Sequence, residues 1–307
     1  MSWDVAGRTV LITGAARGIG AAAAQRLHDR GANVALVGLE PEKLHALADR
    51  LGPRAAAFEA DVTDAAAVQR AVDDTVARFG ALDVAVANAG LHFIGSVVDA
   101  PIEQLEREID VNLLGVLRTV RAAAPHVIAR QGYLLNVASL AAASHAPLMG
   151  AYAASKAGVE ALTDALRQEL RPGGTRVGCA YFGFIDTDLV RSSMHHASSQ
   201  AMEGLMPGFV RRHVSVDVAA DAIERAVVGR RARVWAPRYV GGALRLRGLV
   251  QPLAEQRAMR SRRLPAALEA AAPAPGLAAQ DLTLGIAAGP IDEQPLLTTT
   301  TPSEDRA

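Results

Sequence analysis

A doubly wound parallel α/β sheet of about seven strands, with helices on both faces, is the fold class this sequence predicts, and three observations carry it. Short runs such as "RTVLIT" and "NVALVG" are apolar along their whole length, as strands buried on both faces are. Each run is followed by a longer stretch with helical periodicity, the alternation that builds βαβ units. A glycine-rich turn, "TGAARGIG", joins the first run to its helix.

In chain order, the strand "RTVLIT" (8–13) precedes a helix through "AAAAQRLHDRG", and "NVALVG" (33–38) leads into "PEKLHALADRLG". "AAAFEADV" precedes the helix "DAAAVQRAVDDTVARFG", and "LDVAVANAG" closes the first half. The pattern resumes with "GYLLNVAS" (132–139), a helix over 151–171, "TRVGCAYFG" (175–183), a helix near 217–229 and a short strand "ARVWAP". Residues 1–240 therefore read as one domain. The next segment, 241–269, mixes leucine and arginine at near-helical spacing, interrupted by Pro252. Residues 270–307 are rich in Ala, Pro, Gly and Thr and read as a disordered tail, since they lack the apolar periodicity that offsets ordering entropy.

The 307 residues carry 32 basic and 32 acidic side chains, so no global field draws nucleic acid. No apolar run of about 18 residues predicts a membrane span. The N-terminus passes almost at once into a strand without a leader pattern. A single cysteine, Cys179, sits in the apolar run "RVGCAYF" and reads as a buried, inert thiol. A cytoplasmic protein is the expectation.

Two local patterns carry chemistry. The turn Thr13–Gly20 opens a helix directly after the first strand, which lets the backbone approach a ligand and aims unpaired N–H groups at a phosphate. Its spacing, GxxxGxG with Gly14, Gly18 and Gly20 around Arg17 and Ile19, favours a dinucleotide. In "AYAASKAGVE", Tyr152 and Lys156 stand four positions apart and share one helix face.

With "ADVT" (Asp61, Val62), "NAG" (Asn88, Ala89, Gly90), "DVNLLG" (Asn112) and "NVAS" (Ser139, thirteen positions before Tyr152), the chain resembles the short-chain dehydrogenase/reductase family over residues 3 to 235. The resemblance implies a single Rossmann-type domain and an NAD(P)-dependent enzyme without a metal. It implies that Asp61 holds the adenine ring and that Asn88–Gly90 line the cofactor cleft. Lys156 then binds the nicotinamide ribose, Ser139 bonds the substrate oxygen, and Asn112 holds a water joining the lysine to solvent. Tyr152 becomes the acid/base: a free phenol has a pKa of about 10, and a neighbouring ammonium favours its ionised form.

The cofactor choice stays open between NAD(H) and NADP(H), with a lean to NADP(H). Gly38 stands where the family's NAD-selecting acid would be, and Arg17 is placed to meet a 2′-phosphate. Glu40 argues the other way, as an acceptor for ribose hydroxyls. In "YFGFIDTD", Phe182 replaces the family's proline, Gly183 is retained, and Thr187 matches the threonine that contacts the carboxamide.

Candidate substrate contacts are His92, His145, Phe182, Phe184 and Met194, flanked by Phe93, Pro147, Leu148 and Met149. A lid is expected over about 188–214, with Met202, Leu205, Met206 and Phe209 facing the substrate or the body. His195 and His196 have no nearby ligand spacing, so no metal site is predicted. The basic stretch 238–263 reads first as an amphipathic helix packing its leucines on the body; peripheral lipid contact and an oligomer contact are the other readings. The family implies a homodimer or homotetramer, for which the alanine faces of 116–130 and 151–169 are suited. The leading function is interconversion of an alcohol and a ketone on a fairly apolar small molecule. The alternatives are a reductase of carrier-bound 3-ketoacyl chains and a non-catalytic dinucleotide sensor.

Overall fold

Alternation with period two places one set of strand residues on each face of a sheet, and here both sets are apolar. In the computed structural model, which describes residues 3–187, 208 and 210–271, Val10 and Ile12 of the first strand face one core and Leu11 faces the other. The strands are β1 (Thr9–Thr13), β2 (Asn33–Gly38), β3 (Ala55–Glu59), β4 (Val84–Ala87), β5 (Tyr133–Ser139), β6 (Arg176–Phe182) and β7 (Arg233–Ala236). All are parallel, in the order β3-β2-β1-β4-β5-β6-β7. β5, the fifth strand in that order, is buried at every residue.

One face is covered by α1 (Gly18–Asp29), α2 (Pro41–Leu51) and α7 (Val216–Gly229). The other carries α3 (Ala65–Phe79), α5 (Gly115–Ala129) and α6 (Gly150–Leu170). The helix α4 (Ile102–Ile109) runs into α5 through one π turn, Asp110–Leu114. Cys179 is fully buried, and burial pushes its thiol up to about 12, so it is inert as expected.

The chain order reverses between β1 and β4, and the crevice beyond their C-terminal ends is where open α/β sheets bind ligands. β3 stops at Glu59, short of the predicted end, because Asp61 turns the chain by accepting a bond from the Thr63 N–H at 2.8 Å. Beyond β6, Ile185 bridges Val214 and the Asp186 N–H donates to the Val214 carbonyl at 2.8 Å. This contact pins the returning end of the predicted lid. Met194, His195, His196, Met202, Leu205, Met206 and Phe209 lie outside the described residues, as does the chain from 272 onward.

Residues 238–271 form three further helices, α8 (Arg238–Arg245), α9 (Arg247–Met259) and α10 (Leu264–Ala271). Two expectations fail here. Pro252 does not interrupt α9: it sits inside the helix and, having no N–H, leaves only the Gly248 carbonyl without its intrahelical donor. The leucines of α9 also do not pack on the body. Leu249 and Leu253 are each 66% exposed, and no residue of α9 is buried. The extension is instead held by α8, whose Val240 is fully buried in the core with Leu244 packed beside it, by polar contacts of α9, and by Ala267 of α10, which is fully buried beside Leu148. No helix among the described residues is long and apolar enough to cross a membrane.

Candidate active site

The crevice at the β1–β4 switch point is made by backbone approaching backbone. Gly14 adopts φ +67°, and a Cβ there would sit 2.8 Å from the Ala89 Cα. A Cβ on Gly20 would lie 2.2 Å from the Gly14 carbonyl oxygen, so only glycine lets the turn close. Asn88 locks the two loops together: its side-chain amide donates to the Thr13 carbonyl at 2.9 Å, and its N–H donates to the Thr13 hydroxyl at 3.0 Å. The Ala89 N–H reaches the same hydroxyl at 3.1 Å. Arg17 precedes α1 without a side-chain cap, leaving the first N–H groups of the helix to face the cleft.

That cleft has a volume of about 250 Å³. Its walls include Gly14, Arg17, Gly18, Ile19, Glu40, Asp61, Val62, Asn88, Ala89, Gly90 and Thr187, the predicted dinucleotide residues other than Gly20, Gly183 and the Tyr152–Lys156 pair. The glycine cradle and the open helix N-terminus fit a dinucleotide. Among the described residues no cluster suited to a metal ion occurs. Gly183 lies beneath Tyr239, where a Cβ would approach the phenol oxygen to 2.6 Å.

Arg17 and Glu40, which argue for opposite cofactors, are paired with each other at 3.0 Å. Lys43 binds the same Glu40 carboxylate. Asp61 is held by Arg107, which sequence reasoning missed. Its guanidinium donates to Asp61 at 2.9 Å and to the Thr63 hydroxyl at 3.0 Å. Burial alone would raise the Asp61 carboxyl, but the Thr63 main-chain bond and Arg107 outweigh it and keep the group below its ordinary value.

At the C-terminal end of β5, Ser139 accepts a bond from the Ala141 N–H at 3.1 Å and donates to the Phe182 carbonyl at 3.2 Å. It also stands within hydrogen-bonding reach of the Tyr152 phenol. A hydroxyl has one proton, so Ser139 has to swing from Phe182 to serve a phenolate or a substrate oxygen. Tyr152 and Lys156 sit in the first two turns of α6 and share a face, as their spacing requires. The Lys156 ammonium is 4% exposed, donates to the Val137 carbonyl at 3.1 Å and lies 5.8 Å from the Tyr152 ring centre.

The electrostatics depart from the simple expectation that Lys156 lowers the phenol. Burial pushes Tyr152 up to about 12; the Ser139 bond opposes this, and the Glu108 carboxylate adds to it. Burial also brings Lys156 down to about 8, against the pull of Glu108. Desolvation is the largest cause of both shifts, and the Lys156 ammonium donates its hydrogen bond to a main-chain carbonyl on β5.

Asn112 is fully buried on the π turn, a distortion found often at functional sites. Its amide donates to the Leu91 carbonyl at 2.8 Å and its oxygen accepts from the Leu91 N–H at 2.9 Å. It thus clamps the chain after "NAG", with Gly90 so close to both Asn112 and Lys156 that a Cβ would lie 2.9 Å and 3.4 Å from them.

The substrate side is brought together only in part. His92 packs its ring 4.4 Å from that of Tyr152, and Met149 and Ile94 join the same cluster. Behind it stands Glu108, 1% exposed, 3.4 Å from the His92 Nδ1 and accepting the Phe93 N–H at 2.8 Å. Phe182 does not line the cleft: it is 5% exposed and packs into the core beneath α7. Phe184 stacks on His213 at 5.6 Å. His145 is exposed, and its main chain is tied to Gln251 of α9, so it belongs to the docking of the extension rather than to the Tyr152 cluster.

Comparison with known proteins agrees with the fold. The family model described as short chain dehydrogenase matches residues 8–198. A trans-4-hydroxycyclohexanecarboxylate dehydrogenase of Sinomonas cyclohexanicum is 38% identical over 60% of this chain and 75% of its own length. A sorbitol dehydrogenase of Cereibacter sphaeroides is 37% identical over 59% of this chain and 71% of its own. The crystal structure of a short chain dehydrogenase/reductase from Burkholderia phymatum in complex with NAD superposes with a TM-score of 0.69 at 25% identity, covering 80% of this chain and 94% of that one. The chain belongs to the short-chain dehydrogenase/reductase family, whose members are NAD(P)-dependent oxidoreductases acting on CH–OH groups.

Proposed function

We propose that the protein interconverts an alcohol and a ketone on a fairly apolar small molecule, with Tyr152 as the acid/base and NADP(H) as the preferred cofactor. The observation that supports this reading is the close approach of Lys156 to Gly90, which walls the dinucleotide cleft, with Tyr152 on the same helix face and Ser139 beside its phenol. When bound, the nicotinamide gives or accepts the hydride. In the reducing direction the Tyr152 phenol, protonated at neutral pH as phenols are and held so more firmly by its burial, gives its proton to the carbonyl oxygen as that oxygen gains charge. Ser139 turns its hydroxyl toward the same oxygen, and the Lys156 ammonium favours the phenolate that remains. Oxidation runs the proton in the opposite direction.

The surroundings of Tyr152, with Ile94, Ala141, Ala146 and Met149 packed together, support an apolar substrate. The relative named for trans-4-hydroxycyclohexanecarboxylate supports a ring-borne alcohol. For the cofactor, Arg17 and Lys43 converge on the single Glu40 carboxylate, which leaves that rim with one excess positive charge, and Gly38 supplies no competing acid. This favours a 2′-phosphate.

The test is a panel of cyclic and open-chain ketones and alcohols assayed with NADPH and NADH. Tyr152→Phe is expected to lower turnover by about a thousandfold while cofactor affinity stays within about twofold; activity within tenfold of the parent rejects the proton-transfer role. Arg17→Ala is expected to weaken NADPH more than NADH, and equal losses reverse the cofactor assignment.

A further inference from the structure

A helix lying on a protein surface normally turns its apolar stripe inward. α9 does the reverse. Leu246 just before it and Leu249 and Leu253 within it fall at i, i+3 and i+7, one stripe, and are 55%, 66% and 66% exposed. The face turned to the body carries Val250, Gln251, Ala254 and Ala258. The orientation is fixed by specific contacts. Arg247 makes a two-pronged ion pair with Glu160 on α6, at 2.6 and 2.9 Å, and Gln251 bonds both the N–H and the carbonyl of His145. α9 therefore presents its leucines outward by construction.

Around this stripe the charge is one-sided. Between residues 238 and 263 there are seven arginines and one acid, Glu255, in a chain whose total charge is zero. All seven arginines are exposed. Met259, at 67% exposure, lies between Arg257 and Arg260 at the end of the same helix. Setting aside Arg247, which Glu160 neutralises, six arginines of α8–α10 stand against Glu255 and Glu269, so a second copy docking face to face would set its own net positive surface against this one, a repulsive arrangement for a two-fold interface. An outward row of leucines flanked by arginines matches a boundary between anionic headgroups and acyl chains, where the leucines leave water and the guanidiniums meet phosphate.

We propose that α8–α10 form a peripheral docking surface for an anionic lipid bilayer, with Leu246, Leu249 and Leu253 entering the interface. The surface stands independently of the substrate and of the reaction.

The test is co-sedimentation of the full chain with vesicles of phosphatidylcholine alone and of phosphatidylcholine mixed equally with phosphatidylglycerol. Binding is expected to the mixed vesicles and to fall as salt is raised. Leu249→Gln with Leu253→Gln should weaken it by about tenfold or more, from the lost apolar transfer. Arg257→Gln with Arg260→Gln should weaken it by a similar factor, since each surface arginine near anionic lipid is worth about fivefold. Both double variants change exposed side chains, so their melting temperatures should match that of the parent. Absence of binding to the mixed vesicles overturns the proposal. So does binding that the leucine substitutions leave unchanged, which would mark a purely electrostatic surface for an acidic protein. A leucine variant that dissociates an oligomer while the parent ignores vesicles overturns it in favour of a second copy.

Discussion

The dinucleotide cleft and the C-terminal extension are built on opposite terms. In the cleft almost every contact is made by main chain or by small residues under constraint: Gly14 against Ala89, Gly20 against Gly14, Asn88 against Thr13. In the extension only Gly241, against Trp235, is so confined; Gly242 and Gly248 have nothing within 4 Å of an added Cβ, and α9 is held by a few long side chains. The cleft tolerates no added atom because its work is close approach to a ligand; the extension is a surface, and what matters there is which way each side chain faces.

The largest expected effect separates these two regimes directly. Gly20→Val places side-chain atoms where the Gly14 carbonyl already stands, so dinucleotide affinity is expected to fall by at least about a hundredfold, or the first βα unit to lose its shape. Gly242→Ala, in an exposed helix, is expected to raise stability by about 0.5–1 kcal/mol through helix propensity. Titration with NADPH and thermal melts of both variants measure this. Near-equal effects would show that the turn is less constrained than its geometry indicates.

This difference also explains what could be read from the sequence. The sheet, the glycine turn, "NAG" and the Tyr152–Lys156 spacing were legible because each depends on local periodicity or on a backbone need that only one residue type meets. Glu108 was not. In "EQLEREID" it is one acid among Glu103, Glu106 and Asp110, and nothing local says that it alone is buried against His92. The direction of the Lys156 ammonium was equally hidden, since it follows from the packing of α6 on β5. The leucines of 246–253 form a visible stripe, but a stripe does not state which way it faces. That was decided by Arg247 and Gln251, whose partners lie 87 and 106 positions away. Phe182 illustrates the same limit from the other side: a position read as pocket proved to be core.

A smaller effect probes the electrostatics that the sequence concealed. Lys156 loses its proton as pH rises through about 8, and with it the charge that favours the Tyr152 phenolate. Reductive kcat/KM is therefore expected to be level below pH 8 and to decline above it. Glu108 raises both groups, so Glu108→Gln removes a charge that holds their protons and should move the whole basic limb to lower pH. An unshifted limb in that variant, with the fold intact by circular dichroism, would leave Glu108 a packing role only.

A further effect, on stability alone, falls on the extension and tests whether it is docked or merely adjacent. Glu160 is 7% exposed; its Oε1 accepts the Tyr181 hydroxyl at 2.9 Å, and both its oxygens pair with Arg247. Arg247 itself is nearly half exposed, so the pair is screened on one side and is worth less than a buried one. Removing the cation still leaves a nearly buried carboxylate with one neutral donor. Arg247→Met is therefore expected to cost about 1–2 kcal/mol and to lower the melting temperature by about 2–6 °C, with turnover and cofactor affinity unchanged. Glu160→Gln paired with Arg247→Met should recover part of the loss, because an amide accepts the Tyr181 hydroxyl without needing a counter-charge. Recovery in the double variant identifies the stranded charge as the source of the cost. An additive double variant would instead place the cost in the packing of the Arg247 stem, and α9 would then be held chiefly by Gln251, between α8 with its buried Val240 and α10 with its buried Ala267.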